Sequence, residues 1–224
     1  MFIHEPVTLA YGELVCETLP TGRTYLTPEG KKYPSITTVL GSQGHQWIYE
    51  WRARVGAEEA NRVGRVAANR GTSVHSLADK YLGNEEIDTK KLMPNALASF
   101  RSLKPVLNRV GKIYLREKSL YSDYLRIAGR VDLVAEFDKK LSIIDFKTSA
   151  RVKKREEIAN YFMQESGYAI MFEERTGIPV AQLVTIMTVD FHEPLIFIEK
   201  RDVWAPELLK VRDDYERQKL FGKL

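Results

Sequence analysis

At 224 residues the chain is long enough for one sizeable domain or a core with an added lobe, and its composition, 44% hydrophobic and 29% charged, is ordinary for a globular protein. The single cysteine, Cys16, excludes a disulfide framework within the chain, a zinc site built on cysteines and an iron–sulfur cluster held by four of them. The net charge of +4 is unevenly spread: residues 45–112 hold twelve Lys/Arg against seven Asp/Glu, whereas 1–44 come to −1 and 113–224 to zero. A basic segment of this kind suits an anionic ligand, nucleic acid being the obvious candidate, although a solvated helical surface gives the same count. No apolar run approaches the roughly 18 residues that span a membrane. The opening Met-Phe-Ile-His-Glu-Pro has neither a basic-then-apolar nor an Arg- and Ser-rich leader, so a cytoplasmic protein of a bacterium or phage-infected cell is expected.

In chain order, residues 1–34 read as short strands and turns, with 23–26 and 31–33 flanking Thr27-Pro28-Glu29-Gly30. Ser35 is placed to cap a short helix. From 46 to about 66 the pattern is helical: Trp47, Trp51 and Val55 recur every four residues, and Arg52, Arg54, Arg62 and Arg65 lie off that stripe. Aromatics beside arginines can stack on bases and hold phosphates; the plainer arrangement, favoured for both tryptophans, is a core stripe under solvated arginines. Arg70-Gly71-Thr72-Ser73-Val74-His75 reads as the start of a second helix, to about 82. Gly71 would make the tight entry, Thr72 or Ser73 the cap, and His75 would sit in the first turn near free backbone N–H groups. Pro94 opens a third helical segment to about 110, which Pro105 is expected to kink or divide.

Strands are expected over 113–121, 124–136 and 141–148, turning at Ser122-Asp123 and at Asp138-Lys139-Lys140. Glu117 falls mid-strand in the first. Residues two apart share a strand face, so Asp145 and Lys147 project together, Phe146 points the other way, and Asp132 can face them from the neighbouring strand. Such charges among Val, Ile, Leu and Phe are costly unless paired or bound to metal. Alone, Asp145-Phe146-Lys147 is most simply a structural ion pair. A helix over 156–175, ended by Gly177 and Pro179, stacks Gln164 and Tyr168 on one face. Strands over 180–191 and 195–199 follow, with a turn at Glu193-Pro194, then a helix over 206–220. The order of helical cap, three strands, helix, two strands and helix is α/β. A single domain over 1–224 is expected: N-terminal strands and turns (1–44), a basic helical cap (45–112) and an α/β core (113–224).

His75, Glu117, Asp132, Asp145, Lys147, Gln164 and Tyr168 form one polar set. Carboxylates with one imidazole suit Mg²⁺ or Mn²⁺, the equipment of phosphodiester hydrolysis. A lysine beside the metal orients the attacking water, or accepts its proton if its own pKa is depressed. Arg52, Arg62, Arg65 and Arg70, with Thr148 and Ser149 beyond Lys147, are candidate DNA contacts.

Gly129-x-x-Asp132, Asp145-Phe146-Lys147-Thr148-Ser149 and Gln164-x-x-x-Tyr168, preceded by Gly71-Thr72-x-x-His75 and Glu117, resemble the RecB-like branch of the PD-(D/E)XK nuclease superfamily. Tyr33-Pro34-Ser35-Ile36-Thr37 and the Trp-containing helix look most like the mitochondrial genome maintenance exonuclease group and its phage relatives. The resemblance runs from Tyr33 to about Thr188. It implies a restriction-endonuclease-like core, a mixed sheet flanked by helices. It also implies that Asp132 and Asp145 bind the metal with His75 completing the sphere, that Lys147 is catalytic, that Glu117 assists as an acid whose ligand role varies, and that Gln164 and Tyr168 are accessory. The cofactor would be Mg²⁺ or Mn²⁺ with no iron–sulfur cluster. The partners would be DNA, single-stranded or with free ends, and a recombination or replication protein. The expected activity is a DNA exonuclease preferring single strands or overhangs, the basic segment arching over the site to thread one strand. A flap or endo-acting nuclease is the alternative. A catalytically silent binding module is disfavoured by the intact Asp132, Asp145 and Lys147. An RNase H-like hydrolase needs neither the lysine nor the Gln-x-x-x-Tyr helix.

Overall fold

Near-continuous apolar runs such as 131–137 and 141–146 suit strands covered on both faces, and they build the frame. The computed structural model describes residues 1–44, 46–92 and 94–222, and their side chains except those of 46–48 and 91. Strands β4 (Val110–Ser122), β5 (Ile127–Phe137), β6 (Lys140–Ser149), β7 (Gln182–Val189) and β8 (His192–Lys200) form one mixed sheet in that order. β6 and β7 are parallel and the other neighbours antiparallel. The crossover between β6 and β7 carries α5 (Ala159–Thr176), the long connection that a parallel pair requires. With α1 (Ile36–Gly41) and α6 (Arg201–Leu220), α5 covers one face, over Val131, Val134, Ile143 and Leu183. Helices α3 (Ala57–Leu82) and α4 (Pro94–Leu107) cover the other, over Leu133, Ile144, Phe146, Val184 and Ile186. Ile143 and Ile144 thus enter opposite cores, as strand alternation demands.

A second, antiparallel sheet is formed by β1 (Val15–Leu19), β2 (Gly22–Leu26) and β3 (Lys32–Pro34). It leads straight into α1, whose N-cap is Ser35: the hydroxyl accepts the Thr38 N–H at 3.0 Å. A bridge from Ser35 to Ala128 ties this corner to the start of β5.

Several boundaries differ from the sequence-based expectation. The helical cap breaks at Gly56, with φ 86°, between α2 (Gln46–Val55) and α3. Gly71 lies inside an unbroken α3, so His75 is in the helix body and the nearby N–H groups are spent on the helix. A Cβ at Gly71 would meet Thr148 Oγ1 of β6 at 3.8 Å, an ordinary contact, so the helix packs over β6 without needing glycine at this position. Pro105 does not divide α4; it lies in the last turn of the helix. Helix α6 begins at Arg201 rather than 206, and Pro206 sits in its second turn. The Arg201 N–H is already satisfied by the Ala181 carbonyl at 2.9 Å, which helps start the helix early. The β7–β8 turn is Asp190-Phe191, and Pro194 is accommodated within β8, an edge strand. Trp51 is half-buried, and the Trp47 side chain lies outside the described residues. Among the described residues no helix is long and apolar enough to cross a membrane.

Candidate active site

The site opens where two strands part. Pairing of β5 with β6 ends at Leu133↔Ile144, whereas β6 stays with β7 as far as Ser149↔Val189. Asp132 and Asp145 stand at the mouth of this gap. The Phe146 N–H donates to Asp132 Oδ2 at 2.8 Å, so a side chain takes the place of a β5 carbonyl in the ladder.

Four elements converge on the gap. From α3, His75 places Nδ1 3.3 Å from Asp132 Oδ2, its ring edge-on to Phe146. From β4, Glu117 is bracketed by the pairs Arg116↔Leu133 and Lys118↔Val131, hence opposite Asp132. Its φ of 45° is rare for a non-glycine residue mid-strand, a strain of the kind that collects at functional sites. Ligand atoms of His75, Glu117 and Asp132 all lie within 4.8 Å of one another. From α5, Gln164 Nε2 donates to Asp145 Oδ1 and to the Tyr168 hydroxyl, both at 3.3 Å. On β6 itself, the Lys147 ammonium lies against Asp145 Oδ2 and 5.0 Å from the centre of the Tyr161 ring. A cavity of about 210 Å³ is lined by His75, Asp132, Asp145, Lys147, Gln164 and Tyr168 among others; His75 and Glu117 also line a groove of about 510 Å³. Gly129 makes the arrangement possible. A Cβ there would come within 2.8 Å of Tyr168 Cε1 and 3.2 Å of Ile36 Cγ2.

The family model of the PD-(D/E)XK nuclease superfamily matches residues 23–193. The chain belongs to this superfamily. Membership implies a phosphodiesterase acting on nucleic acid, in a superfamily that typically uses divalent metals, and the mixed sheet flanked by helices agrees with its fold. A solved structure of a candidate exonuclease from Eubacterium rectale is similar over 65% of this chain and 68% of its own, at 12% identity and a TM-score of 0.38. No curated protein matches the chain.

In this nuclease burial and repulsion between carboxylates raise two of the acids at the site. Burial, reinforced by the Asp132 charge, lifts the Asp145 carboxyl to about 6 despite Lys147. Burial and Asp132 together lift Glu117 to about 7. Asp132 is itself buried, yet the hydrogen bond and charge of His75, with Lys147, hold it below the usual carboxylate range. Burial works against a charged His75, but Asp132 and Asp145 overcome it and raise the ring's pKa. Burial likewise opposes a charged Lys147, and Asp145 and Asp132 overcome it, so its pKa is raised. The two carboxylates stabilise the charged form of Lys147, which suits the first of the two roles set out for it, orienting the attacking water. Asp145 Oδ2 has this ammonium beside it but no hydrogen bond of good geometry. Close-set carboxylates, one imidazole and acids lifted by burial and by each other's charge fit a hard divalent cation. The group that clusters is His75–Glu117–Asp132, while Asp145 is turned to Lys147 and Gln164.

The candidate DNA contacts fare differently. Arg52 donates to Asn61 Oδ1 at 2.9 Å, and Arg62 pairs with Glu59 at 2.7 Å on the exposed surface. Arg65 is exposed on α3. Arg70 is a tie between elements, its guanidinium donating to both Asp190 oxygens at 2.5 and 2.6 Å. Thr148 lies under Gly71. The Ser149 hydroxyl donates to the Arg151 carbonyl at 2.6 Å, turned into its own loop. Two cations unmarked in the sequence reading, Arg23 and Arg130, line the site cavity. Arg130 sits inside the Gly129-x-x-Asp132 motif, which could have flagged it, whereas Arg23 arrives through the small sheet, a long-range event without local signal.

Glu165 is also unmarked, a charged residue amid an apolar helix face. It is fully buried, its Oε1 accepts from the Thr185 hydroxyl, and Oε2 has no hydrogen bond among the described residues. Burial and the Asp145 charge raise its pKa well above the ordinary 4.5. A raised folded-state value means that the proton is held in the fold: the stabilisation is complete below the unfolded pKa and is lost as pH rises through the folded one. Glu165→Gln keeps the shape and cannot ionise. Thermal unfolding should give matching melting points near pH ~4 and a higher one for Glu165→Gln near pH ~9. Parallel melting curves across that range would show that Glu165 does not titrate on unfolding.

Proposed function

We propose that this nuclease is a RecB-like, Mg²⁺- or Mn²⁺-dependent DNA exonuclease that prefers single strands or overhangs, in replication, recombination or repair. The observation that carries this reading is the convergence, in one strand gap, of His75 and Glu117 on Asp132 and of Lys147 and Gln164 on Asp145. His75, Glu117 and Asp132, with Asp145 beside them, would hold the divalent ion, which supplies Lewis acidity toward phosphate and water. Lys147, kept as an ammonium, donates to the attacking water or to a phosphate oxygen where negative charge develops. Gln164 spans Asp145 and Tyr168, fixing the carboxylate that in turn orients Lys147. The Phe146 N–H and His75 hold Asp132 from two sides.

Kinship with the mitochondrial genome maintenance exonuclease group and its phage relatives is supported by Ser35, Ile36 and Thr37, which line the same cavity. End-directed cutting is supported by the cap: residues 61–69 of α3, carrying Arg62 and Arg65, are exposed and lead directly to His75. One gel tests the whole reading, with 5′- and 3′-labelled linear single strands, duplex and circular single strands in magnesium, manganese or chelator. Linear single strands should be degraded from an end with metal, and circles and chelated reactions should stay intact. Circles cut as fast as linear strands would turn the reading to an endo-acting or flap nuclease. Full cutting in chelator would remove the metal.

A further inference from the structure

Among the described residues, no contact repays the cost at which Phe191 is placed. It is the second residue of the two-residue β7–β8 turn, closed by the pair Val189↔His192. Its φ is 58°, a conformation that favours Gly or Asn in such turns and is an outlier for a bulky side chain. Its side chain is fully exposed, at 108% of the reference area. Turn geometry therefore does not call for an aromatic, and packing does not use one. Strain of this kind, held by the surrounding structure, points to function.

The surrounding structure does hold it. The neighbouring Asp190 N–H donates to the Ser149 carbonyl at 3.2 Å, two residues beyond Lys147 on β6. The Asp190 carboxylate is clamped by Arg70, on the helix that carries His75. The turn is thus fixed to both elements that build the candidate active site. Lys147 is opposite Met187 in the parallel pair, so four residues of strand and one strand spacing put Phe191 within roughly 14 Å of Lys147, measured between backbones. Beside it runs a groove of about 700 Å³ between α3, α4 and the turn, lined by Phe191, His192, Glu193, the Arg70–Asp190 pair and the polar Asn95, Ser99 and Ser102 among others.

We propose that Phe191 is a stacking platform for a nucleobase of the substrate strand, holding a nucleotide close to the scissile phosphate and directing the strand into this groove. The proposal rests on the nuclease reading. An aromatic face accepts any base, so Phe191 sets affinity and register without sequence preference. A base presents its face only when unpaired, so the platform also favours single strands over duplex.

The test compares wild type, Phe191→Ala and Phe191→Trp. Single-stranded oligonucleotides carry 2-aminopurine at successive positions from the end. Binding is read by fluorescence without divalent metal, and cleavage separately with magnesium. Phe191→Ala should weaken single-strand binding and raise KM about 5- to 150-fold, the range for losing one stacked base, with kcat within about twofold. Quenching at one position should disappear, Phe191→Trp should restore it, and the Phe191→Ala melting point should not fall, since no internal contact is lost. Equal binding, KM and quenching in Phe191→Ala would overturn the platform, as would a change in oligomeric state at unchanged KM, which would make Phe191 a contact between copies. If the wild type cleaves no nucleic acid, the nuclease reading fails in the cleavage arm, while the fluorescence arm still decides whether Phe191 holds a base.

Discussion

Lys147→Ala is expected to lower phosphodiester cleavage about 10³-fold, the scale of removing one charged donor aimed at developing negative charge. The reasoning starts from the pairing: Lys147 lies against Asp145, and the two acids beside it keep it protonated. The charged form that these acids stabilise acts as a donor, so an uncharged substitute should not rescue turnover. Affinity for nucleic acid should change only a few-fold, because one ammonium is a small share of the contacts that hold a strand. The fold should survive with a pH-dependent penalty. Breaking a buried pair costs about 3–5 kcal/mol when the remaining charge stays ionised. Asp145, already lifted to about 6, can take a proton instead, so the loss of stability should be larger near pH ~8 than near pH ~5. Single-turnover cleavage, with melting curves at both pH values, reads the two effects separately. Turnover at the wild-type rate would take Lys147 out of the reaction.

Asp132→Asn should be the other severe change. Asparagine is nearly isosteric and can still accept the Phe146 N–H, so the strand gap should persist. What disappears is the charge that faces both His75 and Glu117. Mn²⁺ affinity should fall by more than about 100-fold, beyond what outer-shell changes usually cost, and metal-dependent cleavage should go with it. In the wild type, protons compete with metal for Glu117, so affinity should weaken as pH falls below about 7. Part of that lift comes from Asp132, so in Asp132→Asn any residual pH dependence should move to lower pH. Calorimetric titration with Mn²⁺ across pH, on both proteins, tests this. Equal Mn²⁺ affinity in the two would exclude Asp132 as a ligand.

How far the site was readable depends on the range of each signal. Asp145 and Lys147 on one strand face, with Phe146 on the other, follow from a two-residue period that every strand shares. Gln164 above Tyr168 follows equally from the helical repeat. Ser35 as a cap and Thr27-Pro28-Glu29-Gly30 as a turn are local chemistry too, and the structure keeps them. Gly71 and Gly56 are less transparent. Both are glycines in a helical region, and only Gly56, at positive φ, breaks the helix, while Gly71 continues it over β6. Arg70, read as a DNA contact, meets Asp190, 120 residues away.

By itself, then, the sequence determined the α/β class, the order of the strands along the chain, and the set of acids, imidazole and lysine proposed for the site, because periodicity and motif spacing act over a few residues. Only the tertiary structure decided that β5 and β6 part at Asp132, that Glu117 rather than Asp145 completes the close-set group with His75, that Lys147 stays charged, and that Glu165 is buried and Phe191 bare. Those outcomes depend on which distant surfaces meet and how much water they exclude. Burial and mutual charge set them, and neither is a property of a residue's neighbours along the chain.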